Sequence, residues 1–300
     1  MKINVLMSTY NGEKYLKEQI DSILNQKGVE VYLTIRDDGS TDHTLEILDG
    51  YVKKDPRVKL LRGKNMGPGN SFMELIYQSE EFDYYALSDQ DDVWLEDKLI
   101  SALNILGERK YPCLYCSNQI VTDSTGKQIG TSYKETPPTD LANTLIVNTL
   151  RGCTMLMNRK LRDLLIREDI RPDPEFLRLR MHDVWIVMLV NCFGRIIYDP
   201  EPHILYRQHA NNVSGAVTGS GLSFLKKFGS AGLKYPRQAA GELKKTFHLG
   251  IRPQAKAIIN AFLNLNTLRG KIAFCRNRKL MQMFSKDTRY IRLKVMLGIW

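Results

Sequence analysis

The chain has 300 residues, 43% of them hydrophobic and 25% charged, which is enough apolar material for one large α/β domain with extensions or two small domains. No uninterrupted apolar run reaches the ~18 residues of a membrane-spanning helix, and the start of the chain does not read as a signal peptide. The net charge of +10 is unevenly divided: Gly221 to Trp300 carries 17 Lys and Arg against two acids, Glu242 and Asp287, so the rest of the chain is net acidic.

In chain order, Lys2 to Met7 reads as a buried strand ending in Ser8-Thr9-Tyr10-Asn11-Gly12. A helix follows, with Tyr15, Leu16, Ile20, Ile23 and Leu24 at helical spacing. A second strand, Val29 to Ile35, runs into Arg36-Asp37-Asp38-Gly39-Ser40, and the next helix sets Leu45, Leu48 and Val52 on its inner face. Val58 to Leu61 is a third strand; Arg62, Lys64 and Asn65 lie in the loop after it, and Phe72, Leu75 and Ile76 mark a third helix. The fourth strand, Tyr84 to Ser88, stops at Asp89-Gln90-Asp91-Asp92. This alternation predicts a mostly parallel, doubly wound α/β sheet with helices on both faces, and its acid-rich loops fall at strand carboxyl ends, where such sheets bind ligands. Close carboxylates repel one another, and a hard divalent cation such as Mg²⁺ relieves that repulsion. Read singly, each group has another role: Asp37 and Asp38 suit a turn or cap, Arg62 a solvated surface, and Asp92 the cap of a helix expected from Trp94 to Gly107.

Farther on, Tyr111 to Val121 is strand-rich and Leu141 to Val147 helical. Gly152 to Met157 reads as a strand edge and Lys160 to Arg167 as a helix. Met181-His182-Asp183-Val184-Trp185 opens an apolar helix, with Asp183 placed for the favourable field of a helix start. Arg195 to Tyr198 and His203 to Tyr206 read as two short strands before Arg207 and His209. Residues 215–221 suit a linker. Leu222, Phe224, Leu225 and Phe228, and later Ile258, Ile259, Phe262, Leu263 and Leu265, form amphipathic helices with basic faces, which either cover the body or lie on an anionic membrane. No nucleic-acid-binding module is recognisable, so no nucleic-acid partner is expected. The five cysteines include one C-x-x-C, Cys113 to Cys116, without a second pair to complete a zinc site, and read as reduced thiols. Neither a dinucleotide fingerprint nor a P-loop occurs.

Seven segments in order, MSTYNGEKYLKEQIDSIL, RDDGSTDHT, NMGPGNSF, LSDQDDVW, RGCTMLMN, MHDVW and YRQHANN, resemble the family 2 glycosyltransferases, in particular their bacterial rhamnosyltransferase-like branch. The resemblance covers about residues 1–214 and implies a GT-A catalytic domain there, followed by a basic, mainly helical extension over residues 215–300. It implies a nucleoside diphosphate sugar donor held by Thr9, Tyr10, Asn11, Asp37, Asp38, Arg62, Asn65, Asp89 and Arg207, with Mg²⁺ or Mn²⁺ on Asp91 and His209. Asp183 resembles the catalytic base, and Trp94, His182 and Trp185 fall on the acceptor side. The family commonly shows Glu where this chain has His182. The implied reaction is inverting transfer, with dTDP-rhamnose as the best reading of the donor and a UDP-sugar as the alternative. The acceptor is a saccharide, lipid-linked, met at the cytoplasmic face of the membrane through the basic extension. A binding protein without turnover is the non-enzymatic reading; a nucleotidyltransferase is disfavoured because STYNGEK replaces the glycine-rich first loop it needs.

Overall fold

The computed structural model describes residues 1–209, 234–284 and 288–298. Strands β1 (Lys2–Thr9), β2 (Glu30–Asp37), β3 (Val58–Arg62) and β4 (Tyr84–Ser88) alternate with helices α1 (Leu16–Leu24), α2 (Thr44–Lys54) and α3 (Pro68–Gln78). These four strands pair in parallel in the order β3-β2-β1-β4, the doubly wound arrangement expected. Beyond β4 the sheet is mixed. β8 (Leu156–Asn158) pairs antiparallel with both β4 and β6 (Cys113–Thr122), and β9 (Arg195–Arg207) runs parallel to β6. At the far edge the two-residue β5 (Val93–Trp94) pairs antiparallel with β9, while β7 (Gln128–Thr131) hangs on β6.

Alternate strand residues build two cores because successive side chains leave a sheet on opposite faces. Tyr84 and Ala86 join Ile3, Val5, Met7 and the helices α1 and α4 (Lys98–Leu106) on one face. Tyr85 and Leu87 join Leu6 and α3 on the other. That second face also packs against α5 (Leu141–Ile146), α6 (Arg159–Leu165) and α7 (Pro174–Phe193). Cys113 and Cys116 fall into different cores for the same reason, so the C-x-x-C is no pair, and all five cysteines are free.

Several elements depart from their expected form. Val52 is 39% exposed, because α2 turns Thr44 and Leu48 inward instead. Residues at Trp94 form the edge strand β5, and the helix begins only at Lys98, so Asp92 caps no helix. The two short strands after residue 194 are one long irregular strand, β9, with register shifts against β6 at Ser117 to Ile120. The run from Gly152 opens as a 3-10 turn before β8. The helix around Asp183 starts earlier, at Pro174, and is broken at Met181, whose φ of 69° and ψ of 162° are not helical.

The basic extension supplies α8 (Lys234–Lys244), α9 (Pro253–Leu263), α10 (Leu268–Arg276), α11 (Arg278–Met283) and α12 (Thr288–Leu297). Ile258, Ile259, Phe262 and Leu265 are buried and share one core with α5 and α7. Of the two roles left open for that stretch, these residues take the cover. Leu222, Phe224, Leu225, Phe228, the expected linker and the 214/215 boundary lie outside the described residues.

Packing of α3 on α7 depends on one small residue. A Cβ at Gly69 would stand 2.2 Å from the Leu177 carbonyl oxygen and 3.3 Å from Met181 Cα. Gly69→Ala must therefore push α7 outward at its break and should cost about 1–3 kcal/mol of stability, measured by urea unfolding.

Candidate active site

β4 is buried along its whole length, so the chain meets solvent only where the strand stops, and the acids follow there. Asp89 is partly exposed, and its carboxyl is pushed up to about 7 by removal from water and then by the charges of Asp91 and Asp183. Asp92 is fully buried: Oδ1 accepts the Arg207 backbone N–H at 3.0 Å, and Oδ2 has no hydrogen-bond partner among the described residues. Burial, then Asp91 and Asp89, raise it well above the ordinary carboxylate range. Oxygens of Asp89 and Asp92 and the Cys153 sulfur lie within 4.8 Å of one another. Asp91 meets His209, with Oδ2 2.8 Å from Nε2, and the His209 ring lies 5.1 Å from that of Tyr15.

Asp183 belongs to α7, which packs in the core shared with Tyr85 and Leu87 of β4. The break at Met181 restarts the helix so that Asp183 stands in its first turn, and Oδ1 accepts the Val184 N–H at 2.7 Å. Burial pushes its carboxyl up to about 6, opposed by that N–H, by the Arg151 and Arg180 guanidiniums and by a hydrogen bond with Asn148. Its charge is felt at Asp89, so the acid at the β4 end and the acid of α7 belong to one site.

The structure sorts the other expected residues. Thr9 is buried, and its hydroxyl donates to Asp37 at 3.3 Å. Asp37 also accepts from the Gly39 and Ser40 N–H groups and the Ser40 hydroxyl, and Asp38 from Arg36, Met66 N–H and Gly67 N–H. Both carboxylates thus shape the loops after β2 and β3. Arg62 pairs with Asp49 on the surface of α2, which removes it from the acid cluster. Asn65 is exposed in the loop after β3. Tyr10 is 45% exposed, its backbone N–H and carbonyl both held by the Gln90 side chain at 2.8 and 3.1 Å. Asn11 has φ 50°, and its side chain accepts the Thr41 N–H at 2.8 Å. Arg207 is buried over the Tyr15 ring and donates Nε to the Asp91 carbonyl at 3.0 Å and its guanidinium to Glu18.

All three residues expected on the acceptor side are core residues instead. Trp185 is 1% exposed and packs edge-on against Phe176; Trp94 is 3% exposed under the Lys98 ammonium. His182 is 4% exposed and stacks on Phe72 with ring centroids 4.0 Å apart. Neither of its ring nitrogens has a partner among the described residues, and burial lowers its pKa to about 3, so it stays neutral. A Cβ on Gly152 would come within 2.6 Å of His182 Nε2, so the glycine lets the 151–153 turn close over the ring next to Asp183.

Two residues of the site carry signals that sequence reasoning passed over. Arg151 stands in RGCTMLMN and lowers the pKa of both Asp89 and Asp183. Lys98 is 2% exposed, and burial brings it down to about 8, beside Cys153, Cys116 and Asp92. Its position was readable: Lys98 precedes Ala102 by four residues and Leu106 by eight, on the buried stripe of α4.

A parallel half-sheet joined to a mixed one, with an acid-rich segment where β4 stops, is the architecture of the GT-A class of glycosyltransferase. The chain belongs to the family described as "Glycosyl transferase family 2", whose profile matches residues 4–165. It is 31% identical over 235 residues to the dTDP-rhamnosyl transferase RfbG of Shigella flexneri, covering 76% of this chain and 78% of that one. An uncharacterized glycosyltransferase of Haemophilus influenzae is 28% identical over 251 residues, covering 82% and 92%. Among solved structures, S. aureus TarS in complex with UDP-GlcNAc superposes with a TM-score of 0.60 at 21% identity, covering 99% of this chain and 89% of that one. The mannosyltransferase PcManGT of Pyrobaculum calidifontis, in complex with GDP-Man and Mn²⁺, superposes at 0.51 and 14% identity, covering 99% and 85%; at such identities the likeness is one of fold.

Removing the Arg151 charge should raise the Asp183 pKa further. Arg151→Met is expected to move the acid limb of the pH–rate profile upward by roughly one unit, with the alkaline side unchanged.

Proposed function

We propose that the chain is an inverting, metal-dependent glycosyltransferase that moves a sugar from a nucleoside diphosphate to a hydroxyl of a saccharide acceptor in bacterial cell-surface polysaccharide synthesis. The observation that carries this reading is the carboxylate of Asp183, placed by a helix break beside the acids of β4 and held near the top of the carboxylate range by burial. In the displacement, Asp183 takes the acceptor hydroxyl proton as that oxygen bonds to the anomeric carbon. The bond from that carbon to the diphosphate breaks on the opposite face. One base and one displacement give inversion without a covalent intermediate.

The residues fit a divalent cation. Oxygen ligands are concentrated at the β4 end, burial and then the charges of Asp91 and Asp183 raise Asp89, and Asp92 Oδ2 has no partner among the described residues. Mg²⁺ or Mn²⁺ held by Asp91 and His209 would offset the charge of the leaving diphosphate. Asp89 is assigned to the ribose and donor sugar, and Arg151 lends positive charge to the same cluster. With Asp37 and Asp38 engaged, the base falls to the exposed Tyr10 and Asn11 segment. The similarity to a dTDP-rhamnosyl transferase supports dTDP-rhamnose as the donor, with a UDP-sugar as the second reading. The acceptor is proposed to be lipid-linked and met at the cytoplasmic face of the membrane; no helix among the described residues is long and apolar enough to cross one.

Donor hydrolysis and transfer across a panel of nucleotide sugars tests the donor: turnover is expected with dTDP-rhamnose, and turnover with a uridine donor instead would replace it. Asp183→Asn should cut kcat by about 10²- to 10⁴-fold while donor binding persists; an active variant would remove Asp183 from the mechanism. The wild-type rate should fall as pH drops through about 6, because the base works only when ionised. Asp91→Ala should abolish the gain in donor affinity that Mn²⁺ gives in calorimetry, and an undiminished gain would exclude Asp91 as a ligand.

A further inference from the structure

The last helix is apolar on two sides. Ile291 and Val295 are buried against the core, 3% and 0% exposed. Tyr290, Leu293, Met296 and Leu297 stand 39%, 56%, 41% and 61% exposed. At 100° per residue these four fall within about 120° of one another, opposite the buried pair. They form an outward stripe rather than scattered surface residues.

Neighbouring structure extends the stripe. Lys271 donates to the Met296 carbonyl at 3.3 Å and the Cys275 thiol lies 3.8 Å from the Arg292 carbonyl, so α10 runs antiparallel beside α12. This puts Leu268, 65% exposed, at the Leu297 end. Cations accompany the stripe: Arg292 is exposed on one flank, Lys294 lies over the Tyr290 ring at 4.8 Å on the other, and the exposed Arg289 falls between Met296 and Leu293 at the start of the helix. From Leu243 onward the sequence contains a single acid, Asp287.

We propose that the outer face of α12, with Leu268 of α10, is the surface by which this protein docks on an anionic lipid bilayer. This deepens the reading of a membrane-borne acceptor and rests on it for its biological sense. A hydrocarbon ridge framed by cations fits the headgroup boundary: Leu293, Met296 and Leu297 enter the acyl edge, and the guanidiniums meet lipid phosphates. Each cation near an anionic surface strengthens partitioning by about fivefold. A second copy of the chain is the poorer occupant, since a two-fold contact would set this acid-poor face against itself. The docking helix is therefore not α9, whose apolar residues are used up in the core.

The test is flotation of the full chain with vesicles of phosphatidylcholine alone or with 40 mol% phosphatidylglycerol (about that fraction, to set a strongly negative surface). Binding to the anionic vesicles is expected to exceed binding to the neutral ones by tenfold or more and to weaken with salt. The double variant Leu293→Glu/Leu297→Glu should lose about tenfold or more of it. The conservative Leu293→Met/Leu297→Met should retain it. Donor hydrolysis by each variant reports separately on the catalytic site, so a failed donor reading and a failed docking reading give different results. Equal binding to both vesicles, or full binding by the glutamate variant, would overturn the proposal. So would a dimer in light scattering that the glutamate variant converts to monomer.

Discussion

Arg207 ties together three parts of the chain that the sequence keeps far apart. Its backbone N–H bonds the Asp92 carboxylate, its Nε the Asp91 carbonyl and its guanidinium Glu18 of α1. The end of β9 is thereby fixed against the end of β4, and the mixed half of the sheet against the parallel half. His209, two residues later, can then reach Asp91. A guanidinium suits this junction because it is always charged and offers several donors in a fixed plane. Its stacking on Tyr15 fills the space beneath.

The second constraint is electrostatic. Asp89, Asp92 and Asp183 are gathered where water is scarce, and carboxylates so placed favour their neutral forms unless compensated. Compensation comes in layers. Arg151 acts on Asp89 and Asp183, His209 lies 2.8 Å from Asp91, and the charge of Asp92 acts on the buried Lys98. What remains uncompensated at the open side suits a cation arriving with a diphosphate. Acid strength at this site is thus set by the walls around it: burial of Asp183 keeps a base close to working pH, and the same burial keeps His182 neutral.

The broken α7 converts packing into catalytic placement. The positive φ of Met181 interrupts the helix, which restarts with Asp183 in its first turn. The break is braced from both sides. Gly69 of α3 lies against Met181, and Gly152 lets the 151–153 turn settle on His182, which is itself stacked on Phe72. His182 therefore belongs to the scaffold of the base rather than to an acceptor surface.

Local pattern determined much of this protein. Strand-helix alternation from Lys2 to Ser88 gave a parallel sheet because period 2 and period 3.6 are written in the apolar positions themselves. The acids at the β4 end and Asp183 stood out because charge beside an apolar run is visible without a fold. Tertiary structure decided what each charge is used for. Asp37 and Asp38 look as available as Asp89 in the sequence, yet backbone N–H groups and Arg36 bond them, and some of those partners lie as many as 29 residues away. Trp94, His182 and Trp185 look like ligand-facing residues, but burial is a property of what packs on top. Lys98, the edge strand at Trp94 and the outward stripe of α12 likewise depend on neighbours distant in sequence, and a one-dimensional pattern cannot say which of two apolar faces the rest of the molecule will cover.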